Sequence, residues 1–404
     1  MSKKKLKINI ISIFFPPEKG AAATRIHKMS KILIEEGFDV EILTGLPNYP
    51  TGKIFSGYIG KVLMRDEYDQ IKVRRHWLYP SNSKNPILRI ISMVSFSFSI
   101  FLSFFYLKFK RRPDITIINS PPLFTGVAGL VLSKTIGSKT VVNISDIWPL
   151  SALELGAIKK GKFYSILEKM ESFIYKNADA CIGQSNETLT HIKKQQPEKS
   201  LFLYRNLDVP SEYLYEGASY DRNKIKIVYA GLLGVAQGVF NICKTIDFEK
   251  IGVELHIYGG GNEEEKLIEY IKANPNCNIY FHGFVDKSEI PSILKTFHAT
   301  LIPLVNPIYG AFPSKIFMAI ASGLPILFSG EGEGAEVVKK YNLGWVNPSD
   351  EILKLKQNII ELKEVGTDNY NNIKNNCIAA GEGDFNIGNQ NLALINFIRD
   401  FSLN

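Results

Sequence analysis

The sequence predicts a two-domain α/β protein in which each domain is a parallel sheet flanked by helices and the two face a shared cleft. Three observations predict it. Short apolar runs of strand length alternate with longer helical stretches along nearly all of the 404 residues. Loops rich in glycine or proline follow the apolar runs in both halves. The chain also exceeds the size of one core, so two domains of roughly 200 residues are expected.

The elements follow in order. Lys7–Phe15 reads as the first strand; its Lys-rich start resembles a signal peptide, but the apolar part is short, β-branched and followed at once by PPEKGAAATR. A helix from about Ala23 to Glu36 is closed by Gly37, and Phe38–Thr44 is the second strand. The loop Gly45–Lys61 is long and full of turn residues, a length usually tied to function or mobility. Ile71–Arg75 is a further strand. Asp114–Asn119 and Thr140–Ser145 are strands, with a small-residue helix between them and Asp146 directly after the second. Lys162–Lys176 is helical, Ala180–Gln184 a strand, Asn186–Gln195 a helix and Leu201–Arg205 the last strand of this half. Asn206–Arg222 reads as a connection, with domains at 1–208 and 209–385 and a terminal helix in 386–404.

Ile90–Leu107 holds 18 residues without a charge, bordered by Arg89 and by Lys108, Lys110, Arg111 and Arg112. Its length is borderline for a membrane span. A full crossing would separate strands of one sheet, so the run is expected to lie in the membrane interface with a basic rim, or else to pack on the sheet. Charge placement agrees with an anionic surface: residues 1–112 carry 20 Lys/Arg against 8 Asp/Glu, the rest 28 against 32. No aromatic-plus-basic module suggests nucleic acid. The four scattered cysteines fit a reducing compartment, so a cytoplasmic, peripheral location at the inner membrane face is expected.

The second half restarts with a strand at Lys226–Tyr229, followed by AGLLGVAQG and a helix. Glu254–Tyr258 leads into Gly259–Gly261 and the helix Glu263–Lys272. Asn278–His282 leads into Gly283, Phe284 and Val285 and the helix Ser288–Phe297. The stretch Ala299–Val338 then repeats strand, loop, helix twice. Pro313 and Ser314 open the first of these helices, Lys315 lies in its first turn, and Gly323 ends it. Parallel strands joined by right-handed crossovers put both loops and both helix N-termini at one sheet edge, where an anion belongs. A cation in a first helical turn is unfavourable unless such an anion is present, so Lys315 is expected to meet a phosphate. Glycine-rich loops after strands suggest a nucleotide or nucleotide sugar. No acidic DxD triplet occurs, and neither metal nor cofactor is expected.

The blocks FFPPEKGAAATR, GLPNYPTGKIFSGYIGK, SPPLFTGVAGL, SDIWPLSALELG, YAGLLGVAQG and PSKIFMAIASGLPILFSGEGEGAE together resemble family 4 glycosyltransferases of the GT-B fold. The branch is that of bacterial O-antigen and colanic-acid transferases, including N-acetylfucosamine transferases. The resemblance implies two Rossmann-like domains, a terminal helix crossing back to the first, and retaining, metal-free transfer. It implies a UDP-type donor in the second domain, an N-acetylated amino sugar, and a lipid-linked saccharide acceptor.

Carried over by position, it places Gly20 and Ala21 near the donor and Asp146 where the first domain meets a sugar. Gly231, Gly234 and Gln237 would line the diphosphate, and Phe284 and Val285 would flank the base. Lys315 would touch phosphate, and Gly259 and Ser314 would also bind the donor. Glu331, Glu333, Gly334 and Glu336 would close the donor pocket, with Asp146, Lys315 and Glu331 as catalytic residues. The sequence departs from the family at Leu232 and Gln237, where an Arg and a Lys are usual, and at Gly310 and Met318, where two glutamates are usual. A UDP-sugar 2-epimerase of the same architecture and a non-catalytic nucleotide-sugar or membrane-binding protein are the other readings.

Overall fold

The computed structural model describes residues 5–83, 85–205, 207, 218–286 and 288–403. They form two compact units: residues 1–206, 309–311 and 391–404 in the first, 207–308 and 312–390 in the second. The expected 208/209 boundary, and most of the connection expected at 206–222, lie outside the described residues.

The first unit is built on eight strands: β1 (Lys7–Ile11), β2 (Asp39–Gly45), β3 (Leu63–Tyr68), β4 (Ile71–His76), β5 (Ile115–Ser120), β6 (Lys139–Ile144), β7 (Ala180–Gly183) and β8 (Ser200–Leu203). Their order in the sheet is β3-β4-β2-β1-β5-β6-β7-β8. All neighbours are parallel except β3, which runs antiparallel to β4. β3 is absent from the sequence expectation because it is charged and carries no glycine turn. Its hairpin turns through Asp69 and Gln70, both at positive φ (50° and 64°), a conformation that usually selects Asn or Gly.

The central strands are β-branched and buried on both faces. Ile8 and Ile10 pack with Ile26, Met29 and Leu33 of the helix Ala21–Glu35 and with Leu394, Ile395 and Ile398 of the terminal helix Ile387–Leu403. Phe397 of that helix stacks on Phe202 at 4.7 Å, and the Tyr204 hydroxyl donates to Asn391 Oδ1 at 3.0 Å. Each such buried side chain contributes about 2 kcal/mol of apolar transfer free energy.

The expected single helix at Ile90–Leu107 is instead broken. It runs as Pro86–Ser99, a 3₁₀ stretch Ile100–Ser103, and Phe104–Phe109. His76 accounts for the break. Its Nδ1–H donates to the Ser99 carbonyl at 2.9 Å, and the Ser103 hydroxyl donates to Nε2 at 3.1 Å, so an imidazole occupies the helical ladder. One face (Phe96, Ile100, Leu107) joins the core. Opposite it, Ile91, Phe98, Leu102, Phe105 and Phe109 are exposed at spacings of seven, four, three and four. The run thus has both a core face and an apolar outer face. By length and composition alone, Pro86–Phe109 is long and apolar enough to cross a membrane.

The second unit has β9 (Lys226–Ala230), β10 (Glu254–Tyr258), β11 (Ile279–Gly283), β12 (Ala299–Pro303), β13 (Ile326–Ser329) and β14 (Gly344–Asn347). The order is β11-β10-β9-β12-β13-β14, parallel throughout. From β9 the chain winds outward one way through β10 and β11, then returns to β12 on the other side. The crevice between the carboxyl ends of β9 and β12 is therefore the topological switch point, where such sheets bind ligands. The helix expected over Ser288–Phe297 is only Ile290–Leu294, with Pro291 in its first turn. Two helices, Ile352–Glu364 and Thr367–Glu382, complete the unit.

Candidate functional site

The switch point of the second unit is built on glycine. Gly231 follows β9 at φ +155° and Gly259 follows β10 at φ +132°. The two loops pass backbone against backbone: the Gly231 N–H donates to Tyr258 O and the Leu233 N–H to Gly260 O, both at 2.9 Å. A Cβ at Gly259 would stand 1.8 Å from the Gly231 carbonyl oxygen. At Gly231 itself, a Cβ would stand 2.3 Å from Lys315 Nζ, so the missing side chain is the space the ammonium occupies.

Lys315 lies in the first turn of the helix Ser314–Ala321, whose N-cap Pro313 offers no side-chain cap. Its ammonium sits 4.0 Å over the Tyr229 ring, a cation–π contact. Among the described residues no carboxylate pairs with it. Burial lowers its pKa to about 8, since desolvation disfavours the charged form. A desolvated cation beside an uncapped helix N-terminus is an incomplete electrostatic arrangement that an anion completes.

This ammonium faces a cavity of about 490 Å³. Ser314, Gly231, Gly259 and Gly260 line it together with Leu232, Tyr258, Met318, Ile290, Phe284 and Val285. Phe284 is 84% exposed, a flat ring available for stacking. The expected residues Gly231, Gly259, Phe284, Val285, Ser314 and Lys315 are thus brought together around one volume.

Gly234 and Gln237 lie in the adjoining loop. The Gln237 side chain folds back so that a Cβ at Gly234 would be 3.0 Å from its Oε1, and that oxygen is buried with no hydrogen-bond partner among the described residues. Glu333, Gly334 and Glu336 open the helix Glu333–Lys340, with Glu333 buried and Glu336 exposed. Gly334 packs closely on Phe328 and Pro313.

Glu331, expected as catalytic, is not in the Lys315 cavity. Its carboxylate accepts from the Ser349 amide at 3.0 Å and hydroxyl at 3.3 Å, and it lines a different depression with Glu336. The cause is sheet pairing: β13 lies on β14, and the Gly330 N–H donates to Asn347 O at 2.8 Å, which turns this loop toward the one after β14.

In the first unit, Gly20 is the exposed N-cap of the helix Ala21–Glu35, and Ala21 begins that helix. Asp146 follows β6. Burial raises its pKa, opposed by the charge of Arg25 from the second turn of that helix. The fold thus brings Arg25 and Asp146 into one electrostatic environment, although 121 positions of sequence make this invisible beforehand.

Sequence reasoning missed Glu18. Its buried carboxylate accepts from the Asn48 and Tyr49 amides, both at 2.9 Å, and from Phe15 at 3.3 Å. It therefore ties the loop after β1 to the loop after β2. Burial raises its pKa despite these bonds and nearby Arg75. The only signal was an acid inside a Pro-Pro-Glu-Lys-Gly loop. His298 is structural: Nδ1 accepts the Lys226 N–H at 3.0 Å.

The basic rim requires one correction. Arg111 is buried and forms ion pairs with Asp39 at 3.1 Å and Glu41 at 3.4 Å, while donating to Asn9 Oδ1 at 2.6 Å. It belongs to the sheet and is not available to a membrane. Lys108 and Arg112 are exposed and donate to the Thr135 and Gly137 carbonyls, and Lys110 is exposed.

Gly310 also has a physical reason. It lies at φ +86°, its N–H donates to Glu187 at 2.7 Å, and a Cβ would meet Ile147 Cδ1 at 2.5 Å. No side chain fits where the family usually has a glutamate.

Comparisons with known proteins agree with this architecture. The family model "Glycosyl transferase 4-like domain" matches residues 20–200, and "Glycosyl transferases group 1" matches 218–380. A protein described as a colanic acid biosynthesis glycosyl transferase, WcaI of Escherichia coli (strain K12), is 25% identical over 79% of this chain and 82% of its own. A protein described as a glycosyltransferase, WbjE of Pseudomonas aeruginosa, is 25% identical over 71% of this chain and 75% of its own. Among solved structures, Anabaena Alr3699/HepE in complex with UDP has a TM-score of 0.67 at 14% identity, covering 98% of this chain and 100% of that one, a likeness of fold. Two successive transferase models, two doubly wound units and a cation at the second unit's switch point lead to one conclusion: the chain belongs to the family 4 glycosyltransferases of the GT-B fold.

Proposed function

We propose that this glycosyltransferase moves an N-acetylated amino sugar from a UDP-type donor to a lipid-linked saccharide, with retention of anomeric configuration and without a metal ion. The setting is the assembly of a cell-surface polysaccharide at the cytoplasmic face of the membrane. The observation that carries the donor reading is the Lys315 ammonium, desolvated, without a carboxylate partner among the described residues, and backed by Gly231. A diphosphate supplies the missing negative charge, and the uncapped N-terminus of the helix Ser314–Ala321 adds its dipole. The solved HepE complex with UDP supports a uridine donor, and the colanic acid relative supports a polysaccharide product.

In the step itself, the bond between the anomeric carbon and the diphosphate breaks as the acceptor hydroxyl oxygen attacks. Lys315 and the helix N-terminus stabilise the charge gathering on the leaving phosphate, and a phosphate oxygen takes the hydroxyl proton. No protein nucleophile is required. Asp146 is assigned to holding a sugar hydroxyl. The exposed stripe Phe98, Leu102, Phe105 and Phe109, next to Lys108, Lys110 and Arg112, suits an anionic lipid surface that presents the acceptor.

The test is UDP release and product formation from a panel of UDP-sugars, with and without extracted lipid-linked acceptor. Acceptor-dependent transfer supports the reading. An isomerised donor without acceptor would establish a 2-epimerase, and donor binding without turnover would establish a binding protein.

A further inference from the structure

We infer that the donor cavity does not read the ribose 2′-hydroxyl, so that a 2′-deoxynucleoside diphosphate binds as well as its ribonucleoside counterpart. This rests on the assignment of the Lys315 cavity to a nucleoside diphosphate.

Nucleotide sites commonly hold the ribose hydroxyls with a carboxylate, which can accept from both at once. Among the described residues no Asp or Glu lines this cavity. The carboxylates nearest in sequence to the Phe284 and Val285 wall are committed elsewhere. Asp286 accepts from the Ser288 hydroxyl at 2.6 Å and amide at 2.9 Å, and Glu289 accepts from the Asp286 amide at 3.1 Å. The position that meets the nucleoside sugar follows from the helix. Lys315 and Met318 stand three residues apart on one face of Ser314–Ala321, and both line the cavity. With the phosphate at Lys315, the group one turn along is the sugar, and the side chain awaiting it is Met318.

A thioether is a weak acceptor and a flexible apolar surface. It packs beside Tyr258 and Ile290 against the cluster around Val228, Leu294 and Phe297. Such a surface neither rewards a hydroxyl nor penalises its loss. An apolar pocket discriminates weakly over a single hydroxyl, whereas a site built to bond it rejects the analogue that lacks it.

The experiment compares UDP with 2′-deoxy-UDP by calorimetric titration of the intact chain. Dissociation constants within about fivefold are expected; a lost hydroxyl bond to a charged acceptor would separate them by about ten- to a hundredfold. UDP binding tighter by fivefold or more overturns the inference while leaving the donor site standing. Binding of neither overturns the donor-site assignment itself. Met318→Glu, checked for folding by circular dichroism, is expected to raise the preference for UDP at least fivefold. A folded variant whose ratio is unchanged overturns the assignment of Met318 to the sugar. Should the variant not fold, the wild-type comparison decides alone.

Discussion

Replacing Lys315 with Met should stabilise the ligand-free protein and weaken it as a binder. The magnitude follows from the site. Burial takes the ammonium from 10.5 to about 8, and each unit is worth about 1.4 kcal/mol. Holding the charge thus costs about 3 kcal/mol in full burial, and about 2 once solvent reaching a half-buried group is allowed for. Met keeps the stem packed on Tyr229 and removes that cost, so the melting temperature should rise by about 2–4 °C at pH 7. The same change deletes a charge-assisted bond to phosphate, which should weaken UDP about ten- to a hundredfold. The pH dependence has a definite sign. Because the folded value lies below the unfolded one, the unfolded chain binds more protons between about pH 8 and 10.5. This group's contribution to stability therefore rises with pH across that window, and that contribution should be lost in Lys315→Met. UDP affinity of the wild type should decline above about pH 8, as the ammonium is lost. Thermal melts with and without UDP from pH 7 to 10 read all three effects. A variant that melts lower and binds UDP equally well would refute the electrostatic account of this site.

Three further outcomes follow from the same structure. Arg111→Ala should destabilise the first unit by about 2–3 kcal/mol, read by urea unfolding, because it removes one of the two cations that hold the buried Glu41, leaving Arg74, and one of the two on the half-buried Asp39, leaving Lys72; Lys110→Ala should be silent in that assay. His76 is held neutral, its pKa lowered to about 4 chiefly by burial. Stability should therefore fall by up to about 3 kcal/mol as pH drops from about 6.5 to 4, and His76→Gln should flatten that part of the curve. Ser substitutions at Phe98, Phe105 and Phe109 together should leave the melting temperature within about 1 °C yet abolish sedimentation with anionic vesicles; retained binding would remove this stripe from the membrane reading.

The alternation of apolar runs with helical ones, and glycine after β9, β10 and β13 of the second half, were sufficient to read the α/β class and most strands from the chain. Local patterning decides these, since a buried parallel strand needs a continuous apolar run and a helix needs a stop. Glu254–Tyr258 and Asn186–Gln195 coincide with their expected limits for that reason. The position of Lys315 in a first helical turn was legible too, since Pro313 and Ser314 mark the helix start locally. What remained hidden depends on groups far apart in sequence. The buried pairing of Arg111 with Asp39 and Glu41 looked from the sequence like one more charge in a basic rim. The break at Ile100–Ser103 comes from His76, on a strand 23 positions before Ser99. Glu331 turns to Ser349 because β14 lies beside β13, and the glycine at 310 is required by Ile147 and by a positive φ. Sequence fixes which segments become strands and helices, since those depend on neighbours within a few residues. Only the packed sheet decides which side chains share a cavity, because that is set by strand order.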